Sequence, residues 1–99
     1  MIDTLLLVQY MVNRGVTPDD AQTFMCIAYH ESKMKPKAIN KYNSNGTKDY
    51  GFFQINEIWI KQCNTSITKL LDIRHNTDCA IHVYNKQGLT AWATYRKCV

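Results

Sequence analysis

Two carboxylates, Glu31 and Asp49, have sequence surroundings that would hold them in opposite protonation states. Ala21, Phe24, Met25 and Ala28 recur at i, i+3, i+4 and i+7, the spacing of one buried helical face, and Glu31 and Ser32 continue that stripe by three and four residues. Glu31 also falls at the C-terminal end of the expected helix, where the backbone carbonyls make the potential negative. Burial and that potential both penalise the ionised form and raise the pKa. A carboxylic acid kept protonated near neutrality is a general acid. Periodicity alone equally allows a solvent-facing Glu31 paired with Lys33 or Lys35. Asp49 follows the Asn45-Gly46 turn inside a polar stretch (Asn43, Ser44, Asn45, Thr47) whose donors would favour a charged carboxylate. A turn-proximal Asp bonded to its own backbone is the plainer alternative. A protonated acid facing an ionised carboxylate is what glycoside hydrolysis requires: one group protonates the leaving oxygen, the other stabilises or attacks the anomeric carbon.

Helical and turn signals position these groups. Thr4 to Arg14 is apolar enough for a first helix, closed by Gly15. Thr17-Pro18-Asp19-Asp20 starts a second, with Thr as N-cap, Pro at the first helical position and two acids at the positive end of the dipole. That helix should fail near Lys35, ahead of Pro36. Asn45-Gly46 predicts a hairpin between strands at Ala38–Tyr42 and Asp49–Phe53. Ile67–Asp72 suits one short helical turn. A helix capped by Asn76 or Thr77 should run through Gln87 to Gly88, burying Ala80, Val83 and Tyr84, and Thr90 should cap a last short helix carrying Ala91, Trp92 and Tyr95. The order helix, helix, small antiparallel sheet, helix, short helix makes this an α+β fold, expected as one domain over residues 1–99.

The chain has 99 residues, 45% hydrophobic and 20% charged, which excludes a disordered chain, and no apolar run is long enough to span a membrane. A domain this small usually needs extra stabilisation. Its four cysteines, Cys26, Cys63, Cys79 and Cys98, favour two disulfides and an oxidising compartment, in one of three possible pairings. The rival set Cys63, His75, Cys79 and His82 has metal-ligand types, but its spacing matches no common zinc pattern. Asp72 and Asp78, beside Arg74 and His75, supply too little oxygen charge for calcium. No metal or other cofactor is expected. The net charge of +4 suits an acidic surface such as a bacterial envelope, but the basic residues are too scattered for nucleic-acid binding. The N-terminus, Met-Ile-Asp-Thr-Leu-Leu-Leu, lacks the basic start and cleavage site of a signal peptide, so disulfides would imply a removed leader or an excised domain. Nothing in the chain indicates an oligomer, and a monomer is expected.

The runs Cys26-Ile27-Ala28-Tyr29-His30-Glu31-Ser32, Ala38-x-Asn40 and Asn45-Gly46-Thr47-Lys48-Asp49-Tyr50-Gly51-Phe52-Phe53-Gln54-Ile55-Asn56 resemble the C-type lysozyme family. So do Asp78-Cys79-Ala80, Gly88-Leu89-Thr90-Ala91-Trp92-Ala93 and Arg96-Lys97-Cys98, and the likeness runs from about Leu5 to Cys98. It implies a helical lobe and a small sheet lobe with a cleft between them. It further implies a secreted, bacteriolytic hydrolase that cuts peptidoglycan or chito-oligosaccharides, with Glu31 as acid/base and Asp49 as nucleophile or oxocarbenium stabiliser. Trp92 would be the aromatic wall that desolvates Glu31, Trp59 a stacking platform for a pyranose, Asn43, Gln54 and Asn56 polar cleft residues, and the Ala91 backbone would face a sugar. The implied disulfides are Cys26–Cys98 and Cys63–Cys79.

The chain departs from the family pattern in places. One residue follows Cys98 where the family has a C-terminal arm, and Leu5 or Leu6 replaces that arm's cysteine partner. The stretch from Trp59 to Cys63 is shortened, a second sheet-lobe disulfide is absent, Ile60 replaces an aromatic, and one residue, Tyr42, is inserted between Glu31 and Asp49. Two other functions compete: a lytic transglycosylase, which releases anhydro-sugars and relies on a single Glu, and a non-catalytic saccharide- or protein-binding module of the same fold.

Overall fold

The computed structural model describes residues 3–99; Met1 and Ile2, the first residues of the segment weighed above as a leader, lie outside them. Helix α1 (Thr4–Val12) is capped by Asp3, whose carboxylate accepts from the Leu5 and Leu6 amides at 3.1 and 3.2 Å. Helix α2 (Pro18–Ser32) begins as the sequence predicts, with Thr17 Oγ1 accepting from Asp20 N at 3.2 Å and Pro18 at the first helical position. It ends at Ser32, a little before the expected Lys35, because Lys33 and Met34 turn into the left-handed region (φ 54° and 61°).

Three two-residue antiparallel strands follow: β1 (Ile39–Asn40), β2 (Asp49–Tyr50) and β3 (Ile55–Asn56), in spatial order β1-β2-β3. Asn40 pairs with Asp49, and Asp49 with Asn56. The expected strands are thus shorter than their sequence signals, and β3 was not anticipated. Asn45-Gly46 is not a two-residue connection between strands. It lies inside a longer loop, in a turn closed by Gly46 N donating to Asn43 O at 3.0 Å.

Helix α3 (Ile67–Leu70) leads into α4 (Ile73–Gln87). Asn76 and Thr77 do not cap α4, which starts three residues earlier; both are buried within it. Asn76 ties three segments together: its Nδ2 donates to Tyr50 O and Leu70 O (2.9 and 2.8 Å), and its Oδ1 accepts from Phe53 N (2.9 Å). Every hydrogen-bonding atom of that buried amide is met. Gly51 (φ 82°) sits against it, and a Cβ there would overlap the Leu70 carbonyl oxygen and the Asn76 amide. The chain closes with two 3₁₀ segments, Leu89–Ala91 and Ala93–Cys98, in place of one short helix.

The core lies between α2, α4 and the turn after β2. Phe24 meets Phe53, Tyr84 and Trp92 edge-to-face, with ring centroids 5.1–5.5 Å apart. The apolar stripe read from sequence is largely inside: Ala21, Phe24 and Ala28 are buried, Met25 and Tyr84 half-buried. Cys26 pairs with Cys98 and Cys63 with Cys79, the implied connectivity.

Candidate active site

A cleft of about 420 Å³ separates the sheet from the helical part of the fold. Its walls hold Glu31, Asn43, Asp49, Gln54, Asn56, Trp59, Ala91 and Trp92, all eight residues singled out from sequence. They come together because three separate devices fix them.

The first device holds Glu31. It is the penultimate residue of α2, and its neighbour Ser32 is buried, with Oγ donating to Phe52 O at 2.7 Å and lying 3.1 Å from Ala28 O. That bond fastens the end of α2 to the turn that follows Asp49. Glu31 is half-buried, and Thr94 Oγ1 donates to its Oε2 at 2.8 Å. Burial raises the Glu31 pKa from its ordinary value, and the negative charge of Asp49 adds to the rise; the Thr94 hydroxyl and the Lys97 cation pull against it. The direction agrees with the expectation from sequence, and the leading cause is desolvation.

The second device holds Asp49. Its Oδ1 accepts from Asn56 Nδ2 at 2.9 Å across the β2–β3 pair. Asn56 Nδ2 also donates to Thr47 Oγ1 at 2.8 Å, and Asn56 Oδ1 accepts from Ile58 N at 3.1 Å, capping the 3₁₀ turn Glu57–Trp59. One side chain therefore orients both a carboxylate and the turn that carries Trp59. Gln54 Nε2 is engaged with Ala38 O and Gly51 O at 3.1 and 3.0 Å, so this buried amide braces the wall from which Asp49 projects. Asn43 differs: its Oδ1 accepts from Asn40 Nδ2 at 3.3 Å, and its Nδ2 is buried with no hydrogen-bond partner.

The third device is Trp92, buried in the wall with Nε1 donating to Phe53 O at 2.8 Å. The Cys26–Cys98 bond ties its 3₁₀ neighbourhood to α2. Thr94 and Asn40 also line the cleft, and sequence reasoning had assigned neither a role. Asn40 stands in a quoted motif, whereas Thr94 meets Glu31 across 63 residues and nothing local marks it. As for metals, the sulfurs of the Cys63, His75, Cys79, His82 set are joined in a disulfide and are not thiolate ligands. The cluster Cys26, His30 and Cys98 is disqualified in the same way.

A family model described as a lysozyme like domain matches residues 8–94. Lysozyme P of Drosophila melanogaster is 37% identical over 109 aligned residues, covering 98% of this chain and 77% of that protein. The chain belongs to the C-type lysozyme family. Lysozyme 1 of Musca domestica is 34% identical over 104 residues, covering 93% of this chain and 74% of its own length. The crystal structure of lysozyme from Equus asinus superposes with a TM-score of 0.80 at 28% identity, covering 98% of this chain and 87% of that one. This lysozyme-family chain is the shorter partner, since its 99 residues align over 109 positions with the Drosophila protein. Cys63 N donates to Trp59 O at 2.9 Å. Trp59 therefore stands one turn from the Cys63–Cys79 bridge. Among the described residues, no helix is long and apolar enough to cross a membrane.

Proposed function

We propose that this chain is a muramidase, a bacteriolytic peptidoglycan hydrolase that cleaves the β-1,4 bond between N-acetylmuramic acid and N-acetylglucosamine. The observation that carries the reading is the pairing, in one cleft, of a Glu31 held toward its protonated form by burial with a half-buried Asp49 anchored by Asn56. Glu31 protonates the glycosidic oxygen as the bond breaks. Asp49 stabilises or captures the positive anomeric carbon. Glu31, now ionised, then draws a proton from the incoming water.

The remaining residues serve binding and environment. Trp92 walls off water beside Glu31. Trp59 offers a ring face to a pyranose, Asn43 contributes a polar residue to the cleft wall, and the Ala91 backbone meets a sugar. Gln54 and Asn56 hold the wall in shape. Two disulfides suit an oxidising, extracellular setting, where the chain acts as a monomer on saccharide without a cofactor.

The test is digestion of purified peptidoglycan, with the fragments read by mass spectrometry. Reducing muramic-acid ends that carry the added water are expected. Anhydro ends, lighter by one water, would reassign the chain as a transglycosylase. No release from folded protein would make it a binding module.

A further inference from the structure

The last 3₁₀ segment, Ala93–Cys98, turns once every three residues, so side chains three apart eclipse. Ala93 and Thr94 line the cleft. Arg96 therefore stands one turn, about 6 Å, beyond Ala93, and Lys97 stands one turn beyond Thr94. That register accounts for the reach of the Lys97 charge to Glu31, which Thr94 bonds directly. The Cys26–Cys98 bridge fixes the far end of the segment to α2, so both cations ride on the same support as the acid.

Arg96 lines a hollow of about 440 Å³ with Thr90, Trp92, Ala93 and Tyr95. Trp92 and Ala93 are wall residues of the cleft as well, so the two hollows share a wall. No carboxylate lines this hollow. Asp20 lies in the next depression, which also contains Thr90 and Tyr95, and it accepts from Tyr84 Oη at 2.5 Å. Among the described residues neither Arg96 nor Lys97 has an ion pair or a side-chain hydrogen bond, and both are exposed. A planar guanidinium with its fork of donors unengaged matches the two oxygens of a carboxylate.

We propose that Arg96, with Lys97 beside it, receives a carboxylate of the peptide stem that peptidoglycan carries on muramic acid, and so selects peptide-bearing wall glycan over a neutral one. The inference deepens the muramidase reading above and rests on it. The stem is joined through a lactyl ether to the ring whose bond is cut. A stem on a ring held against Glu31 and Asp49 has only the Ala93 rim to cross before it enters the hollow. Each extended stem residue spans about 3.3 Å, so about two residues cover the one-turn offset of Arg96 from Ala93.

The experiment uses uncrosslinked peptidoglycan strands, freed of other wall polymers, either native or with their stem carboxylates converted to primary amides. Cleavage is measured for the wild type, Arg96→Gln and Lys69→Gln at about 0.15 M salt, where charges more than about 8 Å apart are largely screened. Lys69, in α3, lines neither hollow and controls for net charge. Arg96 is changed rather than Lys97 because the Lys97 charge also acts on Glu31. Urea midpoints confirm that both variants are folded. The wild type should have a kcat/KM about three- to fivefold higher on native than on amidated strands, the worth of an exposed ion pair, and the difference should lie in KM. Arg96→Gln should lose most of that preference and Lys69→Gln should keep it. A wild type that cuts both strands alike, an Arg96→Gln that keeps the preference, or a Lys69→Gln that loses it equally overturns the inference while the hydrolase reading stands. If the folded wild type releases nothing from either strand, the function above has failed with it.

Discussion

Thr94 Oγ1 lies 2.8 Å from Glu31 Oε2, and it is the hydrogen bond through which the last 3₁₀ segment reaches the acid at the end of α2. A hydroxyl that donates to a carboxylate stabilises the ionised form, so this bond opposes the burial that favours protonated Glu31. Replacing Thr94 with valine removes the opposing force. A general acid works while protonated, so the alkaline limb of the kcat/KM profile should move to higher pH. A pH–rate series on a soluble oligosaccharide checks it; an unmoved alkaline limb would show that Thr94 does not tune the acid.

Glu31→Gln should lower kcat at least about 100-fold on peptidoglycan, the usual contribution of a positioned acid. The same substitution has a stability signature. Because the folded-state pKa of Glu31 is raised, its contribution to stability is complete below the unfolded pKa and is lost as pH climbs through the folded value. Glutamine has no such loss. Measured by thermal unfolding, the Tm difference, variant minus wild type, should therefore grow between pH 4 and pH 7.

Asn56→Ala should damage both kinetic parameters. It frees Asp49 Oδ1, which lowers kcat, and it uncaps the Glu57–Trp59 turn, which raises KM. The lost cap alone should cost about 1 kcal/mol in urea unfolding. A fall in kcat with KM unchanged would separate Asn56 from the placement of Trp59.

Asn76→Ala should be among the most destabilising single changes in the chain. It leaves Phe53 N and the Tyr50 and Leu70 carbonyls without their buried partner, at about 3 kcal/mol or more in total. Gly51→Ala should act on the same joint by steric overlap and an unfavourable φ. Urea midpoints of the two variants, taken with the disulfides intact, test the joint directly.

How far the sequence reveals all this depends on the range of the interaction. Glu31 and Asp49 are legible because each sits in a local signal, one on a helical stripe and the other after a polar turn. Thr17-Pro18 announces the start of α2 for the same reason. Asn76 misleads, since an Asn ahead of an apolar helical stripe has the look of an N-cap, whereas its partners Tyr50 and Phe53 lie 26 and 23 residues away. Strand β3 is two residues long and too short for any alternation to declare it. Thr94 owes its importance entirely to the packing of the 3₁₀ segment Ala93–Cys98 against α2.

Cys26–Cys98 joins the helix that bears Glu31 to the segment that bears Thr94, while Asp49 is oriented from the sheet by Asn56. The acid and the carboxylate thus have separate controls, in different parts of the molecule and with no side chain in common. A substitution at residue 94 acts directly on the acid, whereas one at Asn56 reaches it through Asp49, whose charge also raises the Glu31 pKa. A lineage adapting to a new pH through residue 94 need not rebuild the sheet, whereas one that remodels the sheet around Asp49 changes its working pH as well.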